Sequence, residues 1–210
     1  MLVDQYSCAW GAAPNDDFVL VSYVIENVSG TALSGLYAGL HVEPMVNDDA
    51  VPDMTAYDAT REMGFAWDTT SMTHVGLRFL TGGVSAYNNG HLVGCMDDHL
   101  YPEFSNGQFD GTYGPDDVEF NMAVGPFSLA QGEKTVLGTA WVAGSSLADL
   151  RANSDQALAM WLASDGCGIG LPEEPEGVVE FVPEPGTVLL LGSGLLGLAG
   201  YAGLRWRTRE

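Results

Sequence analysis

Thr187 to Leu204 is an unbroken run of 18 residues without a charge, TVLLLGSGLLGLAGYAGL. A helix rising 1.5 Å per residue would carry this run across ~27 Å, close to the hydrocarbon thickness of a bilayer. A buried helix of a soluble core is the competing reading. The five glycines at 192, 194, 197, 200 and 203 argue against it, because they weaken a soluble helix and are tolerated in a membrane span. Arg205, Trp206, Arg207 and Arg209 follow at once. Basic residues stay on the cytoplasmic side, so the order predicts a transmembrane helix over 187–204 with residues 1–186 outside and Trp206 at the interface. Ser193–Gly197 and Ala199–Gly203 have the small-xxx-small spacing that docks one membrane helix on another.

The body in front of this span is acidic. The whole chain has 28 Asp and Glu against 7 Lys and Arg, a formal net charge of −21. Removing everything from Thr187 onward takes three arginines and one glutamate, which leaves 27 acids against 4 bases. Such a surface repels nucleic acid and anionic lipid, because a phosphate backbone is bound by the opposite sign. At 46% hydrophobic residues the chain has enough apolar side chain to bury a core, and 27 glycines with few lysines and arginines favour strands and turns over helices.

The pattern along the body predicts a mainly β fold, an antiparallel β-sandwich with one C-terminal helix. Phe18 to Ile25 is apolar at both even and odd positions and reads as a buried strand, ended by the turn chemistry of Glu26-Asn27-Val28-Ser29-Gly30. Leu36–Val42, His74–Leu80, Asp117–Val124 and Thr135–Ala143 read as further strands. Glu43–Asp53 reads as an acidic loop, and residues 84–116 as long irregular loops holding one short strand. Ser146 is placed to cap a helix, with Asp149 in the capping-box position. Leu147, Leu150, Ala157, Leu158, Trp161 and Leu162 form its apolar stripe. The domain reading is a β-sandwich over 1–166, an acidic proline-containing linker over 167–182, and a tail over 183–210. Met1-Leu2-Val3-Asp4-Gln5-Tyr6 shows no leader pattern, so the expectation is a fragment or misplaced start, with a signal peptide upstream.

Immediately before the span stands Val182-Pro183-Glu184-Pro185-Gly186. The order Pro-Glu-Pro, apolar span, arginine cluster, chain end resembles the PEP-CTERM sorting signal of Gram-negative bacteria. That resemblance implies that Pro183, Glu184, Pro185, Arg205 and Arg207 form a sorting signal read by an exosortase, a membrane cysteine protease. Two prolines keep the backbone extended, which suits a protease at the membrane–water boundary. The body also resembles a β-rich module of secreted bacterial proteins, some of which trail subtilisin-like proteases. The matching pieces are Phe18–Leu40, Tyr57-Asp58 with Arg61 and Met63–Trp67, Gly125–Leu129, and Ser146–Asn153. Relatives often carry an aspartate-bearing aromatic segment after the second strand. His41-Val42-Glu43-Pro44 stands there instead, so no metal role is carried over.

Residue types that do chemistry are present without a catalytic spacing. His41, His74, His91 and His99 fit no zinc pattern, although His91 and His99 flank Cys95 and Asp97-Asp98. Calcium is the cofactor to consider, because hard cations take several loop oxygens. Asp48, Asp49, Asp53, Asp97, Asp98, Asp110, Asp116 and Asp117 are the candidate ligands, and solvated acidic loops are the plain alternative. Of Cys8, Cys95 and Cys167, the expected disulfide is Cys95–Cys167.

These readings combine into an exported, non-enzymatic surface or matrix protein, held in transit by its C-terminal helix and then released to the cell surface. Its expected partners are the processing exosortase, the membrane through that helix, and exopolysaccharide or other surface proteins. The alternative is an accessory domain of a larger secreted hydrolase.

Overall fold

The computed structural model describes residues 1–46, 52–90 and 97–170. The chain divides after Pro172, and the span expected over 187–204 lies outside the described residues. Among those residues no helix is long and apolar enough to cross a membrane.

Among the described residues ten strands and three helices follow one another as β1 (Leu2–Ala9), β2 (Phe18–Glu26), β3 (Leu33–Val42), β4 (Asp53–Asp58), β5 (Met63–Asp68), β6 (His74–Phe79), β7 (Val84–Gly90), α1 (Asp97–Ser105), β8 (Tyr113–Asp116), β9 (Glu119–Leu129), β10 (Lys134–Gly144), α2 (Leu147–Ala163) and α3 (Asp165–Gly168). The strands form a seven-stranded sheet in the order β1-β2-β10-β6-β5-β4-β8 and a three-stranded sheet in the order β3-β9-β7. Every pairing in both sheets is antiparallel. The mainly β, antiparallel architecture expected from the sequence is therefore present.

The apolar pattern of β2 explains its place. Flanked by β1 and β10, it buries Phe18 and Leu20 with α2 on one face, and Ile25 with the small sheet on the other. The inter-sheet core joins Leu77, Phe79 and Leu137 of the large sheet to Tyr87, Phe120 and Met122 of the small one. Side chains two apart share a face, so alternate residues of β6 and β9 supply this layer. On the far face of the large sheet α2 lays down Leu150, Ser154, Ala157 and Trp161, all buried. Trp161 lies over Gly138, where an added Cβ would come within 2.4 Å of the indole ring. Ser146 caps α2 as expected, accepting from Asp149 N at 3.2 Å, while Asp149 Oδ2 accepts from Ser145 N at 2.8 Å. Of the expected stripe, Leu162 is exposed, and Ser154 takes a place in the buried row.

Residues 84–116 differ most from expectation. Where one short strand among long loops is expected, the described residues hold β7, α1 and β8. Their sequence has little apolar periodicity because tertiary hydrogen bonds hold them. Asn88 Nδ2 donates to Glu103 O at 2.9 Å, Asn106 Nδ2 donates to Asn88 Oδ1 at 2.6 Å, and Asn89 N donates to Asp110 Oδ2 at 3.0 Å. The Phe104 ring of α1 lies over Gly39 of β3, on the small sheet's outer face. Strands β1, β4 and β5 are likewise additional to the strands the sequence pattern predicts. In β1 the side chains are exposed except for Cys8, so no burial pattern marks it.

The disulfide expectation is corrected. Cys167 bonds Cys8, not Cys95, with Cα atoms 6.0 Å apart; Cys95 lies outside the described residues. The reason is topological. β1 is the edge of the large sheet, and α2 leads α3 back onto β1 and β2. Ser22 Oγ donates to Gly166 O at 2.9 Å beside the bond. Cys167, placed at the start of the linker by the sequence, is thus bonded into the folded body.

Candidate functional site

The calcium candidates are scattered by the fold. Asp48 and Asp49 lie outside the described residues. Asp97 and Asp98 open α1. Asp110 Oδ2 accepts from Asn89 N at 3.0 Å. Asp116 accepts from Tyr113 OH at 2.8 Å and from Asp117 N at 2.9 Å. Two candidates do meet, because the register sets Asp53 of β4 opposite Asp116 of β8. The same register sets Asp53 opposite Asp68 of β5, a residue the sequence reading did not single out. Asp53 is fully buried and its Oδ2 accepts from Val46 N at 3.0 Å. Asp68 Oδ1 closes the turn after β5, accepting from Thr70 N and Ser71 N. Among the described residues no group of three or more His, Cys, Asp or Glu is arranged to hold a metal ion.

His41 and His74 take structural partners. His41 Nδ1 donates to Asn121 Oδ1 at 2.9 Å, and its Nε2 lies 4.0 Å from Glu119. Asn121 in turn donates to the Glu103 carboxylate of α1. His74 is buried, with Nδ1 2.7 Å from Met72 O and its ring stacked on Trp67. Burial pushes the Tyr87 phenol up to about 12, and its oxygen lies 2.8 Å from Thr55 Oγ1.

The body's basic residues are spent on holding it together. Arg151 Nε donates to Asp58 Oδ2 at 2.7 Å, joining α2 to the end of β4. Arg61 reaches Asp155 at 2.8 Å and Asp58 at 3.4 Å. Arg78 of β6 donates to Ser154 O at 2.9 Å and to Asp155 at 3.2 Å. Lys134 pairs with Glu26 at 3.1 Å. All four bases of the body thus sit in ion pairs, so no basic patch is left to meet a phosphate polymer. Two separate pieces of the resemblance, Tyr57–Arg61 and Ser146–Asn153, meet in this network through Asp58 and Arg151.

The surface also holds a groove that no sequence pattern announced. Trp141 of β10 is 37% exposed and Val19 beside it 40% exposed, although β10 and β2 are interior strands of the large sheet. Hollows of about 400 and 330 Å³ open on this residue and share Trp141, Val75 and Gly76 in their walls. The sequence marked Trp141 only as part of a strong strand. Its exposure depends on how far the second sheet reaches.

The chemistry with a recognisable pattern lies in the tail. Residues 181–209 match a known family. The chain carries a PEP-CTERM protein-sorting motif. Pro183, Glu184, Pro185, Arg205 and Arg207 all fall inside the matched range. The motif supports an exported, envelope-associated protein sorted by an exosortase. No curated protein matches the chain. Among solved structures, a bacterial glucoamylase complexed with acarbose overlays it with a TM-score of 0.47 and 11% identity. The overlay covers 69% of this chain and 22% of that one, and a likeness at this level carries no functional argument.

Proposed function

We propose that this protein is a non-enzymatic surface or matrix module of a Gram-negative bacterium, delivered by its C-terminal signal and cut there by an exosortase. The observation that carries the reading is the PEP-CTERM motif at residues 181–209. The charge order of the tail supports a transient anchor over 187–204, with the body outside and Arg205, Arg207 and Arg209 inside. The body supports a structural or binding role, because its basic residues, His41 and His74 serve packing and hydrogen bonding. The protein is then the substrate of the sorting reaction, and its lasting task belongs to the β-domain.

Fractionating cells that express the protein tests this reading. Replacing both Pro183→Ala and Pro185→Ala lets the backbone before the span turn helical and hides it from a protease. The full-length form should then accumulate in the membrane fraction while wild-type material is shortened and released. Unchanged release of the double variant would sink the proposal.

A further inference from the structure

The three-stranded sheet covers β2 and β10 at Val21 and Thr139 but not at Val19 and Trp141, the next inward-facing residues along, and the uncovered end displays an aromatic groove. Ala9, Val19, Trp141 and Leu77 stand in one register row across β1, β2, β10 and β6. Directly opposed residues share a face, here the one looking toward the small sheet. Exposure falls along the row from 40% at Val19 through 37% at Trp141 to 0% at Leu77, where cover begins. From Trp141 one hollow runs to Trp10, Asp16 and Asp17 in the β1–β2 connection, and the other to Glu43 just past the end of β3. The indole therefore stands mid-groove with hydrogen-bonding side chains at either end. It is held on a strand paired on both sides, so the platform is rigid.

We propose that this groove binds an uncharged polysaccharide. A pyranose has an apolar C–H face and a rim of hydroxyls. The flat Trp141 indole matches the face, and the carboxylates of Asp16, Asp17 and Glu43 accept from the rim. The sign of the body argues against anionic polymers, since 27 acids face 4 bases and those four are paired. The inference rests on the reading of the body as an outward-facing, non-enzymatic module, and it adds a site and a ligand class to it.

Affinity electrophoresis of the full chain in a sugar-free zwitterionic detergent tests the groove, with gels containing hydroxyethyl cellulose, dextran, xylan or alginate. At least one of the three uncharged polymers should retard the wild-type protein, and alginate should not. Trp141→Ala should weaken the retardation roughly tenfold or more, the loss expected for one stacked ring. Tyr6→Ala, an exposed aromatic on the opposite face of the same sheet, should leave it unchanged. The Asp16→Asn/Asp17→Asn pair sits on an exposed loop and gives a second variant that does not disturb packing; it should weaken binding too. Retardation by none of the uncharged polymers, equal binding by both groove variants, or binding of alginate instead would overturn the proposal. None of these outcomes touches the fractionation of the proline variants, so the two proposals fail separately.

Discussion

Asn27 shows how one polar side chain fixes the connection between the two sheets. It follows β2 and is fully buried. Its Nδ2 donates to Thr31 O at 2.8 Å and to Leu129 O and Ala130 O at 3.0 Å, while its Oδ1 accepts from Ser29 N at 3.0 Å. One amide thus satisfies the carbonyls where β9 ends and closes the turn between β2 and β3. Asn27→Ala leaves those buried groups without their partner, and each such loss costs about 1–3 kcal/mol. Chemical denaturation should show a destabilisation of about 2–4 kcal/mol. A loss under 1 kcal/mol would mean that water replaces the amide. The sequence signalled a turn at this position, but nothing local showed that its side chain bonds more than a hundred residues away.

At the scale of elements, α2 is tied to the sheet by charge as well as by Trp161. Burial pushes the Asp58 carboxyl up, but the Arg151 hydrogen bond, the charges of Arg151 and Arg61 and the Thr60 N–H together hold it below its ordinary value. The Arg61 hydrogen bond lowers Asp155 likewise, against burial and with help from Arg78. A carboxylate whose folded-state pKa is depressed stabilises the fold above its unfolded pKa and loses that contribution as pH falls toward the folded value. Melting temperature should therefore decline as pH drops below about 4. Asp58→Asn should melt lower at neutral pH and show a shallower acid slope, because the titrating group is gone. Parallel pH profiles for variant and wild-type protein would refute this role for Asp58. The helix itself was legible from Ser146, Asp149 and the apolar spacing. The placement of Ser154 within the buried row was not, because it depends on Arg78 arriving from β6.

For the molecule as a whole, the Cys8–Cys167 bond spans 159 positions of sequence and fastens the edge strand β1 to the end of the helical segment. Closing so long a loop restricts the unfolded chain, a contribution of about 3–5 kcal/mol in the chain-entropy model. Peptide mapping without reductant should recover a fragment joining Cys8 to Cys167. Cys8→Ser should lower the denaturation midpoint by a margin that added reductant does not increase. Recovery of a Cys95–Cys167 peptide would refute the pairing. Such a bond suits an exported protein, since disulfides persist in oxidising compartments.

Local patterns determined much of this protein by themselves. Apolar runs marked β2, β6 and β10, capping chemistry marked α2, and the tail's proline pair, apolar span and arginines marked the sorting signal. These features are legible because each depends on residues a few positions apart. Tertiary structure alone decided the rest. β7 and α1 stand on asparagine bonds between distant segments, β1 is defined by its pairing with β2, and Cys8 found Cys167 because the sheet edge meets the end of α2. Trp141 reads as core in any local window. It is a surface residue because the small sheet's cover stops short of it along β10, where Leu137 and Thr139 on the same face are buried, a limit that exists only once both sheets have formed.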